Sequence, residues 1–319
     1  MNYFVTGSAG FIGSHLVDRL LMQGHQVIGY DNLNTGFLGF LQGAEQFSTF
    51  KFIQGDCLDQ KTLLVSIPSH CDGVFHFAAN ADVKDGIKHT GKDLQQNTIA
   101  TYNVLEAMRI KRIKKIIFSS TGSVYGESNI IPTPENAPFP IQTSLYGASK
   151  VAAEGLIQAY SEAFDLQSYI FRFVSILGER YTHGHVFDFY KQLKSNPTQL
   201  KILGDGNQTK SYLYVQDCID AILLALKKSN EHINIFNLGV NGYCQVKDSV
   251  KWITEALDIS PGLIYSGGKR GWVGDSPFIY LDCKKICKLG WEPKFSIQQS
   301  IIKTLDYLRE NVDLIEVRV

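Results

Sequence analysis

A glycine pattern near the start of the chain limits the folds that it can adopt. Residues 6–13 read T-G-S-A-G-F-I-G, a T-G-x-x-G-x-x-G pattern between the apolar run 3–5 and the apolar-rich run 15–21. This context predicts a strand, a tight turn and a helix. Glycines let such a turn approach a pyrophosphate closely, and the helix N-terminus offers N–H groups and its positive dipole end. The pattern therefore predicts a dinucleotide-binding turn.

The second predicted strand, residues 26–31, ends in a carboxylate. Asp31 lies 18 positions after Gly13, close to the spacing of about 20 that is typical of a ribose-binding acid. A carboxylate there accepts hydrogen bonds from the ribose hydroxyls and repels a 2′-phosphate. Residues 32–36 contain no Arg or Lys to bind that phosphate. These observations predict NAD rather than NADP.

Further strands alternate with helices up to about residue 175. Residues 52–57 read as a strand that includes Asp56, and 73–79 as a strand running into small residues. Alternation of this kind predicts a parallel sheet covered by helices on both faces. The expected fold is α/β, a Rossmann-type doubly wound parallel sheet with a smaller, interwoven α/β substrate-binding domain. The NAD-binding domain is predicted at 1–174, with 211–239 contributing, and the substrate-binding domain at 175–210 and 240–319.

A tyrosine and a lysine stand four residues apart at the start of a helical pattern. At this spacing Tyr146 and Lys150 share one helix face. A nearby ammonium group favours the phenolate form of tyrosine, so this pair has the chemistry of a general base. Upstream, the apolar strand 115–118 leads into the hydroxyl cluster Ser119–Thr121, which can hydrogen-bond a reacting sugar oxygen.

These motifs resemble one known family. T-G-S-A-G-F-I-G, S-S-T-G-S-V-Y-G, Y-G-A-S-K and L-G-D-G-N-Q are similar to the extended short-chain dehydrogenases/reductases, in the nucleotide-sugar epimerase/dehydratase group, and are close to the UDP-hexose 4-epimerases. The resemblance implies a catalytic triad of Thr121, Tyr146 and Lys150. With the patterns above, the cofactor-binding residues are expected to be Gly7, Gly10, Phe11, Ile12, Gly13, Asp31, Asn32, Asn34, Thr35, Gly36, Asp56, Cys57, Phe77, Ala78, Ala79, Asn97, Tyr146, Lys150 and Val174.

The resemblance also implies a reaction. Tyr146 would remove the proton of a sugar hydroxyl while NAD⁺ takes the hydride, and return of the hydride to the other face of the ketone would give the C4 epimer. In related 4,6-dehydratases the two positions after the catalytic threonine usually carry acids; here they are Gly122 and Ser123, which favours epimerisation. A reductase, a dehydratase, or an epimerase of a GDP-, CDP- or dTDP-sugar stays an alternative.

The nucleotide side departs from the family pattern. Ser175 stands where Asn is common, Lys210 where Arg is common, and Trp272 where a further Arg is common, with Arg270 two residues earlier. We expect Lys210 and Arg270 to hold the pyrophosphate. The expected substrate-binding residues are Thr121, Gly122, Ser123, Tyr146, Ser175, Lys210 and Arg270.

The composition of the chain limits the classes of binding partner that it can be expected to have. The chain has 31 basic and 31 acidic residues and a net charge of zero, which gives no indication of nucleic-acid or membrane binding. No apolar run reaches ~18 residues and no leader pattern begins the chain, so a cytoplasmic protein is expected. Its six cysteines form no C-x-x-C pair, and neither a metal site nor a disulfide framework is expected. The resemblance implies a homodimer through a helix near 94–110 and the Tyr146 helix.

Overall fold

The computed structural model describes residues 1–80, 85–139, 141–272, 274–276 and 278–312. The chain divides into two compact units. The first comprises Met1–Val124, Leu145–Arg172 and Ile222–Phe236, and the second comprises Tyr125–Ser144, Phe173–Ala221 and the residues from Asn237 onward. The sequence analysis instead assigned 125–144 to the NAD-binding domain and let 211–221 contribute to it.

The first unit is built around a seven-stranded sheet, in the order β11-β6-β5-β4-β1-β2-β3. Its strands are β1 (Asn2–Thr6), β2 (Gln26–Asp31), β3 (Phe50–Gln54), β4 (Gly73–His76), β5 (Lys115–Thr121), β6 (Gln167–Phe173) and β11 (Ile233–Leu238). β1 pairs in parallel with β2 and β4, β2 with β3, and β4 with β5. Six of the seven strands follow the 3-2-1-4-5-6 order of the doubly wound nucleotide-binding fold, which confirms the predicted fold class.

Helices connect these strands. They are α1 (Phe11–Met22), α2 (Gln60–Ser66), α3 (Asp85–Lys88), α4 (Thr90–Asp93), α5 (Ala100–Lys111), α6 (Leu145–Phe164) and α8 (Val215–Lys228). Strand and helix side chains form one core cluster that includes Phe4, Val74, Val104, Phe118 and Ile157. All five are fully buried. Burying each such side chain stabilises the fold by about 1.5–3 kcal/mol.

One predicted helix is not uniform. Residues 94–110 were expected to form a single helix, but Leu94–Ile99 wind as a π-helix between α4 and α5. The π-helix places the neighbouring residues Asn97 and Thr98 against Ser149 of α6. Asn97 Nδ2 donates to Ser149 Oγ at 2.9 Å, and Thr98 Oγ1 donates to the Ser149 carbonyl at 3.0 Å.

The second unit contains short strands and helices. Its strands are β7 (Ser175–Leu177), β8 (Gln199–Ile202), β9 (Thr209–Lys210), β10 (Tyr212–Tyr214), β12 (Cys244–Gln245) and β13 (Gly262–Tyr265). They pair as β7 with β10, β8 with β13, and β9 with β12. The helices are α7 (His185–Ser195), α9 (Val246–Ala256), α10 (Lys284–Cys287) and α11 (Ile297–Glu310). α7, α9 and α11 pack against one another.

Candidate active site

The glycine turn after β1 is tightly built. Gly7 has a φ of +70°, and a Cβ at Gly7 would lie 2.6 Å from the backbone nitrogen of Ala78. A Cβ at Gly13 would lie 2.0 Å from the Gly7 carbonyl oxygen. α1 begins at Phe11 with no side-chain cap and no acidic residue in its first turn, and the N-terminus of a helix carries its positive dipole end. This cradle fits a pyrophosphate.

Asp31 lies at the end of β2, where a ribose-binding acid is needed. Its Oδ2 accepts a hydrogen bond from Ala9 N at 3.0 Å, and its Oδ1 accepts one from Leu33 N at 2.8 Å. Each carboxylate oxygen can accept a further bond. Burial raises the pKa of Asp31, and the two backbone bonds oppose this shift. Gly36 passes so close that a Cβ there would lie 2.7 Å from Oδ1.

The loops after β2 and β3 are joined through Asp56. Asn32 Nδ2 donates to Asp56 Oδ2 at 2.9 Å, and Leu58 N donates to Asp56 Oδ1 at 2.8 Å. Asn34 N in turn donates to Asn32 Oδ1 at 3.0 Å. The neighbouring Cys57 is buried, and desolvation raises the pKa of its thiol. Four residues that the sequence assigned to the cofactor are thus brought together at the same sheet edge as Asp31.

A buried histidine ties the end of β4 to the glycine turn. His76 Nδ1 lies 2.8 Å from Thr6 Oγ1, and its Nε2 lies 3.0 Å from Thr101 Oγ1. Thr101 donates its own proton to the Asn97 carbonyl, so His76 must donate from Nε2 and accept at Nδ1. Thr6 Oγ1 also accepts from the N–H groups of Phe77 and Ala78, each at 3.2 Å. Burial lowers the pKa of His76 to about 3, so the ring is neutral.

The structure brings Thr121, Tyr146 and Lys150 together. Tyr146 and Lys150 lie one turn apart on α6, and Tyr146 shares a hydrogen bond with Thr121 at the end of β5. Lys150 is buried, and its Nζ donates to the Ser119 carbonyl at 2.9 Å. The same Nζ lies 4.6 Å from the centre of the Phe118 ring.

Burial dominates the titration of this pair. Desolvation raises the pKa of Tyr146 to about 12, the hydrogen bond with Thr121 opposes the shift, and the charge of Asp93 adds to it. Desolvation also lowers the pKa of Lys150 to about 7, against the charges of Glu154 and Asp93. Lys150 therefore exchanges its proton near neutral pH. A positive charge placed beside the phenol would lower the Tyr146 pKa by about 1–3 units.

A buried ion pair lies one helical turn beyond Lys150. Glu154 on α6 and Arg172 on β6 are 0% and 2% exposed, and Arg172 Nη2 lies 2.7 Å from Glu154 Oε2. Arg172 Nε donates to the same carboxylate at 3.0 and 3.2 Å. Ser120 Oγ donates to Glu154 Oε1 at 2.5 Å. No site role was predicted for Glu154 or Arg172, although Glu154 follows Lys150 at the i+4 spacing. Ser120 was predicted in the hydroxyl cluster that faces the sugar, but its hydroxyl donates to Glu154.

The expected phosphate-binding cations are both paired with carboxylates. Lys210 Nζ lies 2.6 Å from Asp275 Oδ1 and donates to the Ser276 carbonyl at 2.7 Å. Arg270 pairs with Glu127, and its Nη1 donates to the Asp275 carbonyl at 2.6 Å. The Trp272 ring lies 5.7 Å from Lys210 Nζ. No local pattern indicated Asp275 and Glu127 as the partners, because they lie 65 and 143 residues away from Lys210 and Arg270.

The remaining residues that were predicted to bind cofactor or substrate lie in turns, loops and the π-helix or at the start of a strand. Gly122 and Ser123 begin a 3₁₀ turn, and Ser123 N donates to Thr121 Oγ1 at 3.1 Å. Val174 donates its N–H to the Leu238 carbonyl at 3.0 Å, and Ser175 begins β7 with an exposed side chain. The amide of Asn97 is occupied by Ser149 and by the N–H of Asn80, at 2.9 and 2.8 Å. Ala79 follows Ala78 in the loop after β4.

The described residues contain no group of three or more His, Cys, Asp or Glu side chains suited to holding a metal ion. None of their helices is long and apolar enough to cross a membrane. All six cysteines, which lie in the described ranges, are free thiols.

Comparisons with known proteins agree with the nucleotide-binding fold described above. Residues 3–239 match the model of the NAD dependent epimerase/dehydratase family. A putative UDP-glucose 4-epimerase from Methanocaldococcus jannaschii is 34% identical over 313 residues, 96% of this chain and 98% of the relative. A UDP-glucose 4-epimerase from Mycolicibacterium smegmatis is 31% identical and covers 97% of this chain and 99% of its own.

Solved structures match over the whole chain. A crystal structure of a UDP-galactose 4-epimerase superposes with a TM-score of 0.88 at 34% identity, covering 98% of this chain and all of the other. A UDP-glucuronic acid 4-epimerase from Bacillus cereus, solved with UDP-glucuronic acid and NAD, superposes with a TM-score of 0.88 at 30% identity. It covers 97% of this chain and 99% of its own.

Proposed function

The chain belongs to the NAD-dependent epimerase/dehydratase family, and on that premise we propose that it inverts C4 of a UDP-hexose through a transient 4-keto sugar. The observation that carries the proposal is the contact of Thr121 and Tyr146 one helical turn from the buried Lys150. The chain is an NAD-dependent nucleotide-sugar epimerase by this family membership and by its relatives.

The roles of the triad follow from its chemistry. When bound, NAD⁺ would supply the hydride acceptor and donor for C4 and a positive charge that favours the phenolate. Tyr146, as phenolate, would take the proton of the C4 hydroxyl and give it back to the C4 oxygen once the hydride has returned to the other face of the ketone. Thr121 hydrogen-bonds the same sugar oxygen. Lys150, charged below a pH of about 7, stabilises the phenolate and bonds the cofactor ribose.

The cofactor site is proposed from the residues around the glycine turn. The uncapped N-terminus of α1 would hold the pyrophosphate, and Asp31 the adenosine ribose. Asn32 and Asp56 would line the adenine side, and Phe77 and Ala78 the nicotinamide side. The hydrogen bonds of Thr6 to the N–H groups of Phe77 and Ala78 hold that loop against the turn.

The substrate diphosphate is proposed to bind Lys210 and Arg270. Arg270 has five N–H donors, so it can bond a phosphate while it keeps Glu127 and the Asp275 carbonyl. Lys210 would share its ammonium between Asp275 and a phosphate oxygen. Ser175 would contact the nucleotide and Ser123 the sugar.

Two finer properties are also proposed. The protein would act as a homodimer through α5 and α6, whose exposed surface carries large apolar side chains, among them Tyr102 and Phe164, each 40% exposed. It would work in the cytoplasm, where nucleotide sugars and NAD are available.

A panel of nucleotide sugars tests the function. UDP-glucose, UDP-N-acetylglucosamine and UDP-glucuronic acid, with GDP-, CDP- and dTDP-hexoses beside them, would be incubated with the NAD-loaded enzyme and the products identified by NMR. We expect a C4 epimer from one or more of the UDP-sugars. A 4-keto-6-deoxy product would show a dehydratase, a net need for NADPH would show a reductase, and epimerisation of another nucleotide's sugar alone would overturn the UDP assignment.

A further inference from the structure

Three consecutive residues at the end of β5 are bonded to three residues on one face of α6. The Ser119 carbonyl accepts from Lys150, Ser120 Oγ donates to Glu154, and Thr121 bonds Tyr146. Tyr146, Lys150 and Glu154 succeed one another at i+4 intervals, so they form one stripe along the helix. The last residue of the stripe is Glu154, whose carboxylate is two helical turns away from Tyr146 and has no role in the proposed reaction.

Glu154 is clamped by its neighbours. A charged side chain in a protein interior is tolerated where it is paired and hydrogen-bonded. Here the guanidinium of Arg172 bonds both oxygens, through Nη2 at 2.7 Å to Oε2 and Nε at 3.0 Å to Oε1. Ser120 supplies a further bond at 2.5 Å. Charge-assisted bonds of this kind are short and strong, so they fix the carboxylate in place beside Lys150.

The charge of Glu154 acts on Lys150. We propose that Glu154 is a positioning residue for Lys150, and that its carboxylate, clamped by Arg172 and Ser120, keeps the Lys150 ammonium charged and fixed against the end of β5. Burial opposes that charge, and the Glu154 carboxylate is the largest influence that favours it. A neutral Lys150 could not stabilise the Tyr146 phenolate, so this inference rests on the proposed roles of those two residues.

Other ionisable groups also surround Lys150. Tyr146 lies on the same helix, Asp93 in α4 adds negative charge, and neutral His76 lies at the end of β4. Asp93 is buried and accepts from Asn80 Nδ2 at 2.8 Å. The charge of Asp93 also raises the pKa of Tyr146. Asp93 therefore favours the charged form of Lys150 but disfavours the phenolate form of Tyr146.

The test measures the proton on Lys150 directly. The enzyme, loaded with NAD⁺, would be labelled with lysine carrying ¹³C at Cε, and the Lys150 signal assigned by its loss in Lys150→Arg. The pH at which this signal titrates reports the protonation of Nζ without any sugar substrate. A chain that failed to epimerise UDP-hexoses would still give this titration, so the two proposals fail separately.

Glu154→Gln keeps the shape and a hydrogen-bond acceptor for Ser120 but leaves the Arg172 charge unpaired. We expect the Lys150 midpoint to fall by roughly one pH unit or more, about a tenfold loss of charged lysine at a given pH. The double variant Glu154→Gln, Arg172→Gln removes both charges. It therefore leaves no unpaired buried charge that could unfold the protein. Its midpoint should lie between those of Glu154→Gln and the wild type.

Asp217→Asn is the matched control. Asp217 is a buried carboxylate of the second unit that accepts from the N–H groups of Lys294 and Phe295, at 2.9 and 3.2 Å. Its replacement should lower thermal stability and leave the Lys150 midpoint unchanged. The proposal is overturned if the folded Glu154 variants titrate Lys150 at the wild-type pH, or if Asp217→Asn shifts the midpoint as far as they do.

Discussion

The phenolic hydroxyl is all that distinguishes tyrosine from phenylalanine, so Tyr146→Phe removes the proposed base and keeps the ring. We expect turnover to fall by at least the ~10²–10⁴-fold that general-base catalysis supplies, with the fold and NAD content unchanged. Thr121→Ala removes one neutral hydrogen bond and should cost less. Steady-state rates with the active UDP-sugar would measure both. Substantial turnover by Tyr146→Phe would contradict the proposed mechanism.

We predict that the single side chain of Asp31 determines the preference for NAD⁺ over NADP⁺. We expect the wild type to bind NAD⁺ more tightly than NADP⁺, because the carboxylate would face the 2′-phosphate. Asp31→Ala with Asn32→Arg replaces that charge by a cation and should shift the ratio of the two dissociation constants by about tenfold or more, roughly 1.4 kcal/mol. Asp31→Asn, which removes the charge alone, is the control. Equal wild-type affinities, measured by titration calorimetry, would contradict the prediction.

Glu127 competes with the substrate for Arg270. Glu127→Gln removes the competing charge and should tighten UDP binding a few-fold. Arg270→Gln and Lys210→Met should each weaken UDP binding by about 10- to 150-fold, the range for a hydrogen bond to a charged group. Lys269→Gln, which removes the adjacent cation, should change little. Titration calorimetry with UDP would decide, and unchanged affinity in the Arg270 and Lys210 variants would place the phosphates elsewhere.

At the scale of elements, α5 and α6 carry the proposed dimer contact. Tyr160 of α6 donates to Glu106 of α5 at 2.6 Å, which joins the two helices within one chain. Ile99, Tyr102 and Ile110 remain at least 36% exposed. We expect light scattering to give twice the 35.7 kDa chain mass, and Tyr102→Glu to reduce it to a monomer. Ile141→Glu, at an exposed position outside these helices, is the control; a monomeric wild type would end the proposal.

Local sequence patterns predicted the helices and strands that hold the candidate site. They did not predict the ion-pair and hydrogen-bond partners that lie far away in the chain. The glycine turn and the Tyr146–Lys150 spacing are each read within a few residues, so the sequence located them. The pairing of Lys210 with Asp275 joins residues far apart in the chain and has no local signature. The π-helix at 94–99 was missed for a related reason: its winding suits contacts with Ser149, which lies about 50 residues away.

At the scale of the whole molecule, each unit contains a histidine whose ring lies within hydrogen-bond distance of a hydroxyl group. His76 of the first unit is fully buried, and His185 of the second is partly buried, with its Nε2 2.6 Å from Ser249 Oγ. Burial lowers the pKa of each ring to about 3, from 6.5 in the unfolded chain. The unfolded state therefore binds more protons, and stability that is fully present above pH 6.5 is lost as the pH falls toward 3.

Acid unfolding measures this linkage. Well below pH 6.5, each histidine should reduce the free energy of unfolding by about 1.4 kcal/mol per pH unit. His185→Gln cannot take up a proton and should make the stability of the protein less steeply dependent on pH by that amount. Urea unfolding of both proteins would be compared at pH 8, where both rings are neutral, and at pH 5. A difference in stability that is the same at both pH values would contradict the prediction.

The strand order of the large sheet constrains how a nascent chain can fold. β1 emerges from the ribosome before every other strand, yet it lies between β2 and β4, so it must wait for partners on both sides. The edge beside β6 stays open until β11 has been synthesised, and an open strand edge is a template for wrong pairing. Between these strands the ribosome makes much of the second unit. A chain stalled before residue 233 would therefore present the open edge of β6 to chaperones and to other nascent chains.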